Sequence, residues 1–74
     1  MRLREARQRK FFSVRELAKA AGVAPATVAE TEAGRRIPSF TSARKIAAAL
    51  GCNPMDIEEF AARLDAELGG KDAA

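Results

Sequence analysis

The strongest constraint in this chain is one spacing: Leu17-Ala18, then Gly22-Val23, then Val28. Two helices that cross steeply over a short turn need a small residue where their axes approach, and Ala18 supplies it. The turn needs a residue tolerant of positive φ, which is Gly22, while Val23 and Val28 fill the wedge between the helices. The spacing therefore predicts two short helices over about 14–33, joined by a tight turn.

Helix punctuation recurs on both sides of this unit. Ser13 with Glu16 three residues later reads as a capping box. Pro25 suits a first helical turn, and Gly34 ends that helix. Pro38 precedes a start at Ser39, and Phe40, Ala43, Ile46, Ala47 and Leu50 form an apolar stripe that stops at Gly51. Asn53-Pro54 opens a helix predicted to run to Leu68, and Leu3, Ala6 and Arg7 imply one at the start. The expectation is an all-α chain of five helices. It forms a single domain over 1–68, with a C-terminal helix at 54–68 and a frayed tail at 69–74.

Composition narrows the chemistry. The 74 residues leave no room for a second core, and a domain this small buries only about 60% of its unfolded surface. A partner or tight helix packing is expected to help. One cysteine and no histidine argue against a zinc site or a disulfide framework, and no metal or cofactor is expected. No stretch approaches the roughly 18 apolar residues of a membrane span, and no secretory signal pattern is present, so a cytoplasmic location is expected. Catalysis is not expected: Cys52 stands alone and the acids lack a paired, enclosed setting.

The formal charge of +3 conceals a split. Residues 1–51 hold eleven basic and four acidic groups, a net of +7; residues 52–74 hold two and six, a net of −4. Such asymmetry suits a body that faces a polyanion and an acidic element that faces elsewhere.

Across roughly residues 3–60 the chain resembles the phage-repressor and Cro-type (XRE) helix-turn-helix family. The resemblance rests on LREAR (3–7), FSVRELAKAAGVAPATVAETEAGRRIPS (12–39) and ARKIAAALGCNPMDI (43–57). It implies a compact, lambda-repressor-like five-helix bundle whose third helix enters the major groove of double-stranded DNA. It also implies a structural ion pair between Arg7 and Glu32. The function implied is that of a sequence-specific transcriptional regulator, a repressor that binds operator DNA as a homodimer.

Carried over by position, the base-contacting candidates are Pro25, Ala26, Thr27 and Glu30, a weak set. No Arg, Lys, Asn or Gln lies between Val23 and Ala33, so the usual bidentate readers of guanine and adenine are missing. Other departures are Val14 for a common Gln, Thr31 for a buried Ile or Leu, and Phe11 for a common Gly at the end of the first helix. Thr31 predicts a less tightly anchored third helix, and Phe11 leaves the form of that turn open. Candidates for the DNA backbone are Arg9, Lys10, Ser13, Arg15, Arg35, Arg36, Ser39, Ser42 and Arg44, with helix N-termini at Ser13 and Ser39. Arg2, Lys19 and Lys45 read as ordinary solvated charges.

In the last helix Ile57, Phe60, Ala61, Leu64 and Leu68 share one face. Phe60, Leu64 and Leu68 are the candidate dimer interface; the alternative is that Phe60 and Leu64 finish the monomer core. Two other functions stay open. One is an antitoxin whose acidic C-terminal helix neutralises a toxin. The other is a protein-interaction module that kept the bundle and lost base readout.

Overall fold

Among the described residues, the helices that start after Ser13 and Ser39 are capped by a serine side chain, and both close on a left-handed glycine. A computed structural model describes residues 1–72, with side chains through Leu68. Among them are five α-helices and no strand: α1 (Leu3–Arg9), α2 (Val14–Ala21), α3 (Pro25–Glu32), α4 (Phe40–Leu50) and α5 (Glu58–Asp72). No helix is long and apolar enough to cross a membrane.

The Ser13–Glu16 capping box is present. Glu16 N–H donates to Ser13 Oγ at 3.0 Å, and Ser13 N–H donates to Glu16 Oε1 at 2.8 Å. These hydrogen bonds from Ser13 hold the exposed Glu16 carboxyl below its ordinary pKa. Gly22 ends α2 at φ 73°, with Val23 N–H donating to Ala18 C=O at 3.0 Å and Gly22 N–H to Lys19 C=O at 3.2 Å. Phe11 takes the same left-handed conformation after α1, at φ 58°. A residue with a Cβ adopts it at a cost of about 1–2 kcal/mol.

The core is built largely from alanine and leucine. Leu3 and Ala6 of α1, Leu17, Ala18 and Ala21 of α2, Val28 of α3, and Ala43, Ile46, Ala47 and Leu50 of α4 converge with Ile57 and Phe60. The central element is α2, which packs against both α3 and α4. With Ala18 only 1% exposed, its small side chain permits the close approach on which the two-helix unit depends.

Thr31 occupies the buried face of α3. It is fully buried, and its hydroxyl donates to Thr27 C=O at 2.6 Å, so the polar atom is satisfied within the helix.

The C-terminal helix differs from its expected bounds at both ends. Pro54–Asp56 is a 3₁₀ turn, with Met55 N–H donating to Asn53 Oδ1 at 2.9 Å. Ile57 then breaks the helical path with extended backbone (φ −105°, ψ 121°). That break lets Ile57 bury completely while Glu58 N–H donates to Met1 C=O at 2.9 Å. Beyond Leu68 the helix continues to Asp72, through the residues expected to be a tail, because glycine permits a helix stop without imposing one. Residues 73–74 lie outside the described residues. Phe60 is 3% exposed and belongs to the core, which removes it from the candidate dimer interface.

Two measurements check the cap. Ser13→Ala is expected to cost about 1 kcal/mol in urea unfolding. Glu16→Gln is expected to be less stable than the unaltered chain at neutral pH. A lowered carboxyl pKa adds stability above the unfolded value of about 4.3, lost as pH falls through the folded one, so that difference should vanish on acidification.

Candidate nucleic-acid interface

The sequence leaves α3 with two acids and no base, so the site depends on what other elements bring to it. At the C-terminal end of α3, Glu32 receives Arg7 from α1: Nε to Oε2 at 2.6 Å and Nη2 to Oε1 at 3.1 Å. Arg7 Nη1 donates to Phe12 C=O at 2.9 Å, so one guanidinium joins α1, the α1–α2 turn and α3. The side chains are 13% and 5% exposed. The hydrogen bond to Glu32 raises the Arg7 pKa, against an opposing effect of burial. Arg4 adds a longer contact to the same carboxylate, at 3.5 Å.

Glu30, in the second half of α3, is paired as well. Arg36 reaches back from the following loop, with Nε 3.0 Å from Glu30 Oε1 and Nη1 donating to Thr27 Oγ1 at 3.2 Å. Both groups of the Arg36–Glu30 pair stay nearly half exposed. This places a guanidinium along α3, with Nη2 uncommitted among the described hydrogen bonds. The helix's own sequence gave no sign of it. The available signal was the turn at Gly34, where Arg35 N–H donates to Glu30 C=O at 2.9 Å and returns the chain toward α3.

On the outer face of α3, Pro25, Ala26 and Ala29 are exposed. Thr27 is not on that face. It is 8% exposed and its hydroxyl accepts from Arg36, so in the free chain it supports the helix.

The backbone-contact candidates separate in the same way. Ser13 and Arg15 are exposed at the start of α2, Arg35 is exposed after α3, and Ser39 is exposed at the start of α4. Ser39 Oγ accepts from Ser42 N–H at 3.2 Å and donates to the half-buried Ser42 hydroxyl at the same distance, so the two serines cap α4 together and Ser39 is the more exposed of them. Arg44 lies along an apolar groove that also includes Phe40, Met55 and Leu64. Arg9 pairs with Glu5 at 2.8 Å on its own helix. Lys10 turns toward the end of α4: its Nζ lies 3.8 Å from where a Cβ on Gly51 would stand, complementing the helix dipole.

Two other features complete the surface. Leu64 is half-buried and Leu68 is 50% exposed, while the Arg63 guanidinium stands 5.6 Å from the Phe40 ring centre. Burial, reinforced by the charge of Asp56, raises the pKa of Cys52, keeping it a neutral thiol.

The model of a family described as helix-turn-helix matches residues 3–57, from the start of α1 to the break at Ile57. No individual curated protein and no solved structure matches the chain.

Removing one partner of the Arg7–Glu32 pair should be severe. Glu32→Leu is expected to cost roughly 3–5 kcal/mol by stranding a covered charge. That is a large share of the roughly 4–11 kcal/mol expected for a domain of this length. Adding Arg7→Leu should recover part of the loss in the same thermal denaturation assay.

Proposed function

The chain belongs to the XRE-type helix-turn-helix family of DNA-binding regulators, and from that premise we propose that it is a transcriptional repressor. It binds operator DNA as a homodimer with α3 in the major groove. The observation that carries this reading is Arg36 folded along α3. Alone, α3 presents carboxylates to a polyanion; with Arg7 on Glu32 and Arg36 on Glu30, both charges are paired before DNA arrives. Arg36 also brings the donor geometry that suits phosphate or a guanine edge, which α3 itself lacks.

Pro25, Ala26 and Ala29 offer only apolar contact, suited to a thymine methyl group. Glu30 can accept from cytosine N4 if Arg36 moves to DNA. The backbone contacts are Ser13 and Arg15 at α2, Arg35 and Arg36 after α3, and Ser39 at α4, where helix N-termini add N–H donors. Base readout is therefore narrow, and most of the affinity is electrostatic. Leu64 and Leu68 supply the two-fold contact, beside the exposed Phe40 and Met55.

Among the described residues, six cations of the body form no ion pair: Lys10, Arg15, Arg35 and Arg44 of the backbone-contact candidates, and the solvated Lys19 and Lys45. Five neutralised phosphates per subunit give a slope of log K against log salt near −4 to −5. Fluorescence anisotropy with a duplex at several salt concentrations measures it, and a nearly flat dependence would exclude this binding mode. Sedimentation of the chain and of Leu64→Asp tests the dimer: the substituted chain is expected to sediment as a monomer.

A further inference from the structure

Helices α1 to α4 all close with the same pair of backbone bonds, and at three of the four the left-handed residue is glycine: Gly22, Gly34 and Gly51. The fourth is Phe11, at φ 58°. Its closure is well formed, with Phe11 N–H donating to Gln8 C=O at 2.9 Å and Phe12 N–H to Arg7 C=O at 3.2 Å. The next residue, Phe12, packs against the core, while Phe11 is 93% exposed. The left-handed backbone closes α1, but the solvated ring adds nothing to the fold, and a non-glycine residue held in that conformation is a mark of functional positions.

We propose that Phe11 is a DNA contact: its ring packs on the sugar face of the strand engaged by the start of α2. This deepens the DNA-binding reading above and rests on it. Three observations place the ring there. Ser13, the cap of α2, is two residues away, so their Cα atoms lie within about 7.6 Å. The local charge suits a polyanion: Arg15, four residues after Phe11, is exposed and forms no ion pair among the described residues, and Arg9, two before it, is exposed and paired with Glu5. The turn is also stiff, because Arg7 Nη1 donates to Phe12 C=O at 2.9 Å, so little freedom is lost when the ring is covered. An apolar protein contact has a separate place in the groove by Phe40 and Met55, which shares no residue with this turn.

The contact is apolar, which separates it from the ionic ones. Phe11→Gly is expected to raise the melting temperature by about 5 °C through relief of the left-handed strain. The same substitution should weaken duplex binding about tenfold, as for half-burial of a phenyl ring, with the salt slope unchanged. Opposite signs in stability and affinity are what a purely structural residue would not show. Phe11→Trp provides a second readout. The chain has no other Trp and no Tyr, so the emission belongs to this position alone and is expected to be quenched when duplex is added. If Phe11→Gly binds duplex as tightly as the unaltered chain, the proposal is overturned while the DNA-binding reading stands. If Phe11→Gly instead sediments as a smaller species, with its affinity loss matched by that dissociation, Phe11 is a protein contact and the proposal is again overturned. If the unaltered chain binds no duplex, both readings fall.

Discussion

The bidentate pair between Arg7 and Glu32 is the interaction on which the arrangement depends. The core beneath it is rich in alanine, and α3 contributes a single large apolar residue, Val28, to it. Such a core gives α3 little to hold it at one angle. Arg7 supplies the missing specification. Its guanidinium fixes Glu32 through two bonds and Phe12 C=O through a third, so the end of α3 and the entry to α2 are set by the same planar group. A lysine there could not make the three bonds in fixed geometry.

The same pair solves an electrostatic problem. A helix meant to approach DNA carries Glu30 and Glu32 and no basic residue. Both carboxylates are paired by arginines from outside the helix, one from α1 and one from the following loop. The two differ in kind: Arg7–Glu32 is almost fully covered, whereas Arg36–Glu30 is about half exposed and can exchange partners. A covered pair fixes geometry at the cost of desolvation, while an open one gains little and opens easily. Structural and exchangeable charge thus lie two residues apart, on different sides of a short helix.

The fold was readable in the sequence wherever one residue decides a local backbone question. Ser13 with Glu16, Gly22, Pro25 and Gly51 each stand at the helix boundary their chemistry dictates. The break at Ile57 was not readable. It depends on a tertiary bond from Glu58 N–H to Met1 C=O and on the burial of Ile57, neither of which has a local signature. The interface was less readable for the same reason. Thr27 occupies a position that looks like surface on a short helix, yet the loop bearing Arg36 folds over it. The sequence offers Arg36 as a contact to the DNA backbone but carries no local sign that it lies along α3. Phe11 was readable as a departure, but only its φ of 58° and its exposure show that the fold accepts strain there instead of reshaping the turn.

The charge split takes on a sharper meaning once the pairs are known. The body's +7 is a formal count over eleven basic groups, and several of them are already committed. Arg4 and Arg7 meet Glu32, Arg9 meets Glu5, Arg36 meets Glu30, and Arg2 meets Glu59 of α5. A cation that trades a carboxylate for a phosphate releases an acid as it gains one, so it adds little to the salt dependence of binding. Counterion release is therefore governed by the unpaired cations, not by the total. Arg36 can then contribute to where the protein sits on DNA more than to how salt-sensitive the complex is, and Phe11 contributes without charge at all. On the proposed binding mode, the number of basic residues overstates the electrostatic share of affinity, and the geometry of a few contacts beside α3 carries the remainder.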